Sequence, residues 1–252
     1  MTVVGIDCAT VNQKTGLVFA TYTSGTVTIE ECFIAKPKIH VAVQIQTRLS
    51  NTPSVLLALD APLGWLAALG THLSEHFAGK AISLGSDNLF RRRTDEVIRD
   101  RLRKAPLEVG ANFIARTAVS ALRLLAELSE LTAADIPLAW GPSQQNRISA
   151  IEVYPAGTLR AYQRIGFVRA VGTVVQRKRA LLRQLERKGR LRFRPALTRA
   201  ARNEHVLDSV VCCVAALDFL EGYAISPTLQ EDKDKATKEG WIWVRNPDTG
   251  PR

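Results

Sequence analysis

The sequence predicts an α/β fold, in which a mixed sheet is flanked by helices and carries a helical insertion. Three short apolar runs are typical of strands buried on both faces. Two strand-like segments after the first run are typical of a hairpin, and several longer segments have apolar residues at helical spacing. The 252 residues, 46% of them hydrophobic and 23% charged, suit one globular domain spanning residues 1–252.

The first five elements set the topology. They are a strand at 3–8, a hairpin of strands at 16–22 and 26–33, a helix at 39–49 and a strand at 54–60. Three strands, a helix and a strand that crosses back into the same sheet form the opening of the ribonuclease-H-like fold. A doubly wound Rossmann sheet would instead alternate strand and helix from the start.

The rest of the chain continues the order to β-β-β-α-β-α-β-α. The predicted parts are a mostly helical insertion or cap at 65–148, a strand at 148–154, a basic helix at 178–188, a helix at 203–223, a charged linker at 228–240 and a short strand at 241–244. Asn203 is a suitable N-cap for the helix that follows it.

The positive charge of the chain is concentrated in one place. The formal net charge is +10, and residues 177–202 contain eleven basic residues and one acid, so the remainder is neutral. We call residues 177–202 the basic segment. Such a stretch indicates a surface for a polyanion such as DNA or RNA, although a solvated helix face that aids solubility is the simpler interpretation.

Other features of the sequence indicate the cellular compartment. No apolar run reaches 18 residues, so we expect no membrane association. The first residues lack the pattern of a secretory signal, and the four cysteines form no CxxC pair, which favours a reducing, cytoplasmic location. The sequence leaves the oligomeric state open.

Four carboxylates suggest a metal site. Asp7, Asp60 and Glu152 each end a predicted strand, and Asp208 lies in a helix that is apolar on nearly every side. Buried carboxylates brought together repel one another. Mg²⁺ or Mn²⁺ removes this cost, because these ions prefer carboxylate oxygens.

Each acid also has a structural alternative. Asp7 can cap a turn, Asp60 can start an Asx turn, Glu152 can pair with an arginine, and Asp208 can bond to a backbone amide. All four in this order nevertheless favour shared metal binding.

At these residues the chain resembles a known family, domain-of-unknown-function family 429 (DUF429), whose members are predicted nucleases of the ribonuclease-H-like superfamily. The matching pieces are Gly5-Ile-Asp-Cys-Ala9, Ala58-Leu-Asp-Ala-Pro-Leu-Gly64, Phe90-Arg-Arg-Arg-Thr-Asp95, Ile151-Glu-Val-Tyr-Pro155, His205-Val-Leu-Asp-Ser-Val-Val-Cys212 and Glu239-Gly-Trp-Ile-Trp243. The resemblance implies a five-stranded mixed sheet and an acidic site built from Asp7, Asp60, Glu152 and Asp208. Ser209 departs from the family pattern, in which this position is usually Ala.

Several further residues are candidates. Arg92 and Arg93 are expected to bind phosphates, with Asp95 orienting one of them, unless they form an ion-pair network on a helix. His205, one turn before Asp208, either supports a metal ligand or transfers protons, or it is simply structural. In the basic segment the candidates for phosphate contact are Arg177, Lys178 and Arg202.

The sequence therefore predicts a nuclease that cuts phosphodiester bonds at a two-metal site built from four carboxylates. One alternative is a non-catalytic nucleic-acid-binding or scaffold protein with the same fold. A less favoured alternative is an ATP-dependent phosphotransferase of the related actin-like fold, which needs a duplicated domain and Gly-rich phosphate loops that are missing from this sequence.

Overall fold

A seven-stranded mixed sheet forms the centre of the molecule in a computed structural model, which describes residues 1–49, 52–110, 112–143, 146–194 and 203–250. The strand order across the sheet is β6-β3-β2-β1-β4-β5-β7. The strands are β1 (Thr2–Asp7), β2 (Gly16–Thr23), β3 (Thr26–Ile34), β4 (Val55–Asp60), β5 (Ile148–Val153), β6 (Leu191–Phe193) and β7 (Ile242–Trp243).

The pairing confirms the predicted ribonuclease-H-like arrangement. Strands β1, β2 and β3 are antiparallel neighbours, and β1, β4 and β5 run parallel. The resemblance implied five strands, and the two additional ones are the short edge strands β6 and β7. Strand β7 falls within the strand predicted at 241–244. Strand β6 was not predicted, because its three residues lie inside the basic segment and the charges conceal its pattern.

Helices cover both faces of the sheet. They are α1 (Val41–Leu49), α2 (Ala67–Ser74), α3 (Ser86–Phe90), α4 (Arg93–Leu102), α5 (Asn112–Thr132), α6 (Pro155–Arg164), α7 (Val174–Arg187), α8 (Glu204–Leu220) and α9 (Gln230–Glu239). Buried side chains of α4, α6, α7 and α8 pack on one face, and those of α1 and α5 pack on the other. No helix in the described ranges is both long and apolar enough to span a bilayer.

The structure changes two expectations about how the domain is organised. The helical region at 65–148 was expected to be an insertion or cap, but its longest helix, α5, packs on α1 as part of one layer of the domain. The charged linker expected at 228–240 is wrong, because 230–239 forms helix α9. Its acids Asp232 and Glu239 are buried, and they accept hydrogen bonds from the side chain and the backbone N–H of Arg93, respectively.

Helix α8 lies unusually close to the sheet. A Cβ on Gly5 would be 2.1 Å from the carbonyl oxygen of Ser209, and one on Gly16 would be 2.2 Å from that of His205. Side chains at these two strand positions would push the helix away. The glycines therefore allow the first turns of α8, which carry Asp208, to approach the end of β1.

We expect Gly5→Ala to destabilise the protein by about 1–3 kcal/mol or more, because the added methyl group meets backbone atoms that cannot rotate away. The change is measured as the shift of the urea unfolding midpoint. Gly70→Ala is the matched control, since nothing lies within 4 Å of the added carbon and Gly70 is inside helix α2. It should be neutral or stabilising. Equal effects of the two substitutions would contradict the close packing of α8.

Candidate active site

Two aspartates lie side by side at the carboxyl-terminal ends of two central strands of the sheet. Asp7 is the last residue of β1 and Asp60 the last residue of β4, and they are direct partners in the parallel pairing. Strand alternation directs both side chains to the face covered by α8. Helix α8 adds Asp208, whose charge raises the pKa values of Asp7 and Asp60. Three of the four predicted carboxylates therefore lie together.

Asp7 is held by two residues of α8. Its Oδ2 lies 2.7 Å from Nδ1 of His205, and its backbone N–H donates to Oγ of Ser209 at 3.2 Å. The Ser209 hydroxyl donates in turn to the carbonyl oxygen of His205 at 2.8 Å. Ser209 thus adds a link between strand and helix. Burial raises the pKa of Asp7 to about 6, against the opposing hydrogen bond from His205.

The carboxylate of Asp60 differs from those of Asp7 and Asp208 in having no bonded partner among the described residues. It is half-buried, and no described residue donates a hydrogen bond to it or forms an ion pair with it. Burial, followed by the charges of Asp7 and Asp208, raises its pKa well above the usual range. The positive charge of Lys178 opposes this rise, but Lys178 is bonded to Asp208.

No hydrogen bond joins Glu152 to the three aspartates in the described residues, although its charge is among those that raise the pKa of Asp60. Side chains alternate along β5, so Glu152 projects toward the face of the sheet opposite that of Asp7 and Asp60. It is buried, and its carboxylate accepts from the backbone N–H of Leu63 at 2.9 Å and from Arg92 at 2.7 and 2.9 Å. Pairing with an arginine, the alternative to metal binding, is the arrangement observed.

Comparison with known proteins places the chain. A family model described as "Protein of unknown function (DUF429)" matches residues 5–232. The protein belongs to the DUF429 family. No curated protein gives a significant match.

Two solved structures match this DUF429 protein as a whole. One is Thermus thermophilus RuvC in complex with a Holliday junction substrate, with 12% sequence identity and a TM-score of 0.40. The other is Thermus thermophilus RuvC, with 12% identity and a TM-score of 0.37. Each alignment covers 88% of this chain and 97% of the other.

Arg92 has no free hydrogen-bond donor for a phosphate in this structure. Its five guanidinium N–H groups donate to Asp95, to Glu152 and to the carbonyl oxygen of Glu239. The side chain is 1% exposed. The predicted phosphate contact by Arg92 is therefore corrected to an internal clamp on Glu152, and Asp95 pairs with the same guanidinium.

The other predicted phosphate-binding residues differ in their surroundings. Arg93 is half-buried and pairs with Asp232 and Glu96, so it belongs to an ion-pair network between α4 and α9. Arg177 is half-buried and donates to the carbonyl oxygen of Thr173 in its own helix. Arg202 lies outside the described residues.

Lys178 occupies a position that the sequence did not predict. Its stem is buried, and its ammonium group bonds to the carboxylate of Asp208, thirty residues away in sequence, across the contact of α7 with α8. It also lowers the pKa values of Asp7 and Asp60. Lys178 therefore supplies a positive charge within the acidic cluster. No sequence signal links the two residues, since the contact depends on how two helices pack.

Tyr154 is a second neighbour that sequence reasoning left without a role. Burial and the charges of Asp60 and Asp95 raise the pKa of its phenol to about 12, so it stays neutral beside the acids. Its place in Ile151-Glu-Val-Tyr-Pro155, directly after a strand, was the available signal.

The donor set at this edge fits a hard divalent cation. Asp7, Asp60 and Asp208 offer only carboxylate oxygens, which Mg²⁺ and Mn²⁺ prefer, and the ammonium of Lys178 already stands among them as a cation. In the described ranges no three His, Cys, Asp or Glu side chains are already arranged around a common ion position. Binding would therefore require at least Asp208 to exchange Lys178 for the metal.

Replacing Lys178 with Met should tighten Mn²⁺ binding by about tenfold or more. A positive charge a few ångströms from a cation site repels a divalent ion by several kcal/mol at an effective dielectric constant of about 20, and about 1.4 kcal/mol corresponds to tenfold. Isothermal titration with Mn²⁺ measures the change. Lys233→Met, on the exposed surface of α9, is the control. Unchanged affinity in the Lys178 variant would contradict a cation position beside it.

Proposed function

We propose that this DUF429 protein is a metal-dependent nuclease that hydrolyses phosphodiester bonds of nucleic acid. The observation that carries the proposal is Asp60, a half-buried carboxylate with no bonded partner among the described residues, beside a second carboxylate, Asp7, in direct register. Such a pair is costly to keep in a protein unless a cation shares it. The basic segment supplies the opposite charge needed for a nucleic-acid backbone.

The proposed metal ligands are Asp7, Asp60 and Asp208, with Mg²⁺ or Mn²⁺ as the ion. A bound divalent ion of this kind activates a water molecule and neutralises charge that develops on the phosphate. Glu152, predicted as a fourth ligand, is assigned instead to positioning the backbone at Leu63, just beyond the end of β4, through its bond to that N–H.

The remaining residues have supporting roles in this proposal. His205 holds one oxygen of Asp7, which would leave the other oxygen available to a bound cation. Lys178, once displaced from Asp208, is placed to contact the negative phosphate. The exposed side of α7 continues the positive surface away from the acids and binds the backbone of the strand, with an affinity that falls steeply with salt.

One observation favours a second candidate, a nucleic-acid-binding protein without catalysis. Lys178 and Arg92 already neutralise two of the four predicted acids without any metal. The two candidates differ in their response to metal. A ligand that binds only the native state raises apparent stability, so Mn²⁺ should raise the melting temperature of a nuclease and leave a pure binder unchanged.

The stabilisation by Mn²⁺ should grow as the pH rises through about 6. Burial raises the pKa of Asp7 to about 6, so below that pH the proton competes with the metal. In the metal-free protein the free energy of unfolding changes in the opposite direction, because it falls as the pH rises. The raised pKa means that the folded state holds the proton more tightly, and this contribution to stability is lost between about pH 4, the unfolded value, and about pH 6.

Melting curves with and without Mn²⁺, recorded across this pH range, measure the effect. Ca²⁺-free buffer with EDTA provides the reference. A shift in melting temperature that is the same on both sides of pH 6 would contradict binding at Asp7. Labelled DNA and RNA substrates, incubated with Mn²⁺, then test cleavage itself, and complete absence of cleavage on all of them would favour the second candidate.

A further inference from the structure

A cavity lies on the same side of the sheet as the acidic cluster. It is a half-open cavity of about 380 Å³, lined by α7 and by residues of the segment 166–171 that follows α6. Its polar lining consists of Arg169, Arg183, Arg187 and Gln184, and its apolar lining includes Phe167 and Val171. No carboxylate contributes to the lining.

The three arginines are unpaired within the described part of the chain. No side chain of the three forms a hydrogen bond or ion pair there, and Glu186, the one acid of α7, makes no ion pair with them. Lys188 lies 5.8 Å from the centre of the Phe167 ring and adds a fourth positive charge nearby. All three arginines are exposed, so this face of α7 presents a concentrated positive charge to the solvent.

Helix periodicity explains why the arginines converge. Arg183, Gln184 and Arg187 follow Ala180 at spacings of three, four and seven residues, so all four lie on one face of α7. The adjacent face buries Leu181, Leu182 and Leu185 and directs Lys178 to Asp208. One helix therefore presents one face to the acidic cluster and the next face to the cavity.

We propose that this cavity binds a phosphate group of the nucleic-acid strand that is held at the acidic cluster. Forked guanidinium groups match pairs of phosphate oxygens, and the apolar lining suits the attached sugar or base. Binding an anion removes the mutual repulsion of the arginines. The inference rests on the proposed function, because it takes nucleic acid as the ligand of the basic segment.

The spacing is compatible with one continuous strand. Arg183 and Arg187 follow Lys178 by five and nine residues, which corresponds to about 8 and 14 Å along the helix axis. Successive phosphates of one duplex strand are about 3.4 Å apart along the duplex axis. The phosphate in the cavity therefore belongs to a nucleotide a few units away from the one at the carboxylates. It is either an internal phosphodiester or a terminal phosphomonoester.

The test is binding of a fluorescent oligonucleotide in EDTA, where no cleavage occurs, followed by anisotropy over a range of salt concentrations. The variant R183Q/R187Q should bind on the order of tenfold more weakly, and its salt dependence should be flatter by about two ion contacts. R116Q/R123Q is the matched control, because it removes two exposed arginines from α5 on the other face of the sheet. It should bind as the parent does.

A second arm identifies the source of the phosphate. If the parent prefers a 5′-phosphorylated oligonucleotide and R183Q/R187Q loses this preference, the cavity holds a terminal phosphate. If both ends bind equally and the variant is weaker for each, it holds an internal one. Binding by R183Q/R187Q that equals the parent, with the same salt dependence, overturns the proposal.

The two proposals fail in different ways. Normal binding by R183Q/R187Q together with metal-dependent cleavage would contradict only the proposal that the cavity binds phosphate. Weakened binding by R183Q/R187Q without any cleavage by the parent would contradict only the proposed nuclease activity.

Discussion

Asp7→Asn should slow Mn²⁺-dependent cleavage by on the order of 10³-fold or more, because the metal supplies several kcal/mol of transition-state stabilisation and about 1.4 kcal/mol is tenfold in rate. The amide keeps the size of the side chain and the contact with His205, but it lacks the negative charge that a cation requires. Initial rates on the preferred labelled substrate measure the loss.

The matched control for this substitution is Asp135→Asn, which makes the same chemical change at an exposed position without a partner among the described residues. Its rate should equal that of the parent. The fold of Asp7→Asn should remain intact, since the substitution removes a carboxylate whose pKa is raised by burial. A folded Asp7→Asn protein that cleaves as fast as the parent would show that the active site is elsewhere.

Arg92→Met should lower stability by about 3–5 kcal/mol, which is the usual cost of leaving a buried charge without its partner. Arg92 is the shared counter-charge of Asp95 and Glu152, and all three side chains are buried. In a chain of this size the melting temperature should fall by about 6–20 °C. Differential scanning calorimetry measures it.

Arg93→Met tests the same chemistry at the neighbouring position. Arg93 is half-buried, but its partner Asp232 is buried, so the loss of its ion pairs should cost about 1–3 kcal/mol, less than the loss of Arg92. A double variant, Arg92→Met with Glu152→Gln, should recover part of the stability, because it removes one of the two buried negative charges that lose their partner. If Arg92→Met instead weakens nucleic-acid binding and leaves the melting temperature unchanged, Arg92 is a phosphate ligand as the sequence first indicated.

The sequence predicted the elements that depend on local patterns. Apolar runs marked β1, β4 and β5, and their order indicated that β4 crosses back into the sheet of β1, where the structure pairs the two strands in parallel. Because the carboxyl ends of parallel neighbours meet at one edge, Asp7 and Asp60 could be expected together. The placement of Asp208 followed from an apolar helix that had to lie on the sheet.

Glu152 shows where this reasoning stops. Strand β5 is buried on both faces, so its residues do not alternate between polar and apolar. Without that alternation the sequence does not reveal to which face Glu152 points. The pairing of Lys178 with Asp208 and of Arg92 with Glu152 joins distant segments, and it depends on helix packing that no local pattern records.

Helix α9 is different, because its signals were present in the sequence. Glu231 and Asp232 lie in the first turn, Lys238 lies in the last, and Gly240 follows the final residue with a positive φ of 79°. These are start and stop signals of a helix. The density of charge suggested a linker, but ion pairing with Arg93 makes it a packed element.

The most direct test of the account is a crystal structure of the protein grown with Mn²⁺ and measured for anomalous scattering. The account predicts an anomalous peak between the carboxylates of Asp7 and Asp60, with Lys178 moved away from Asp208. Under the same conditions, the absence of manganese at this edge of the sheet, with Lys178 still bonded to Asp208, would contradict the shared cation.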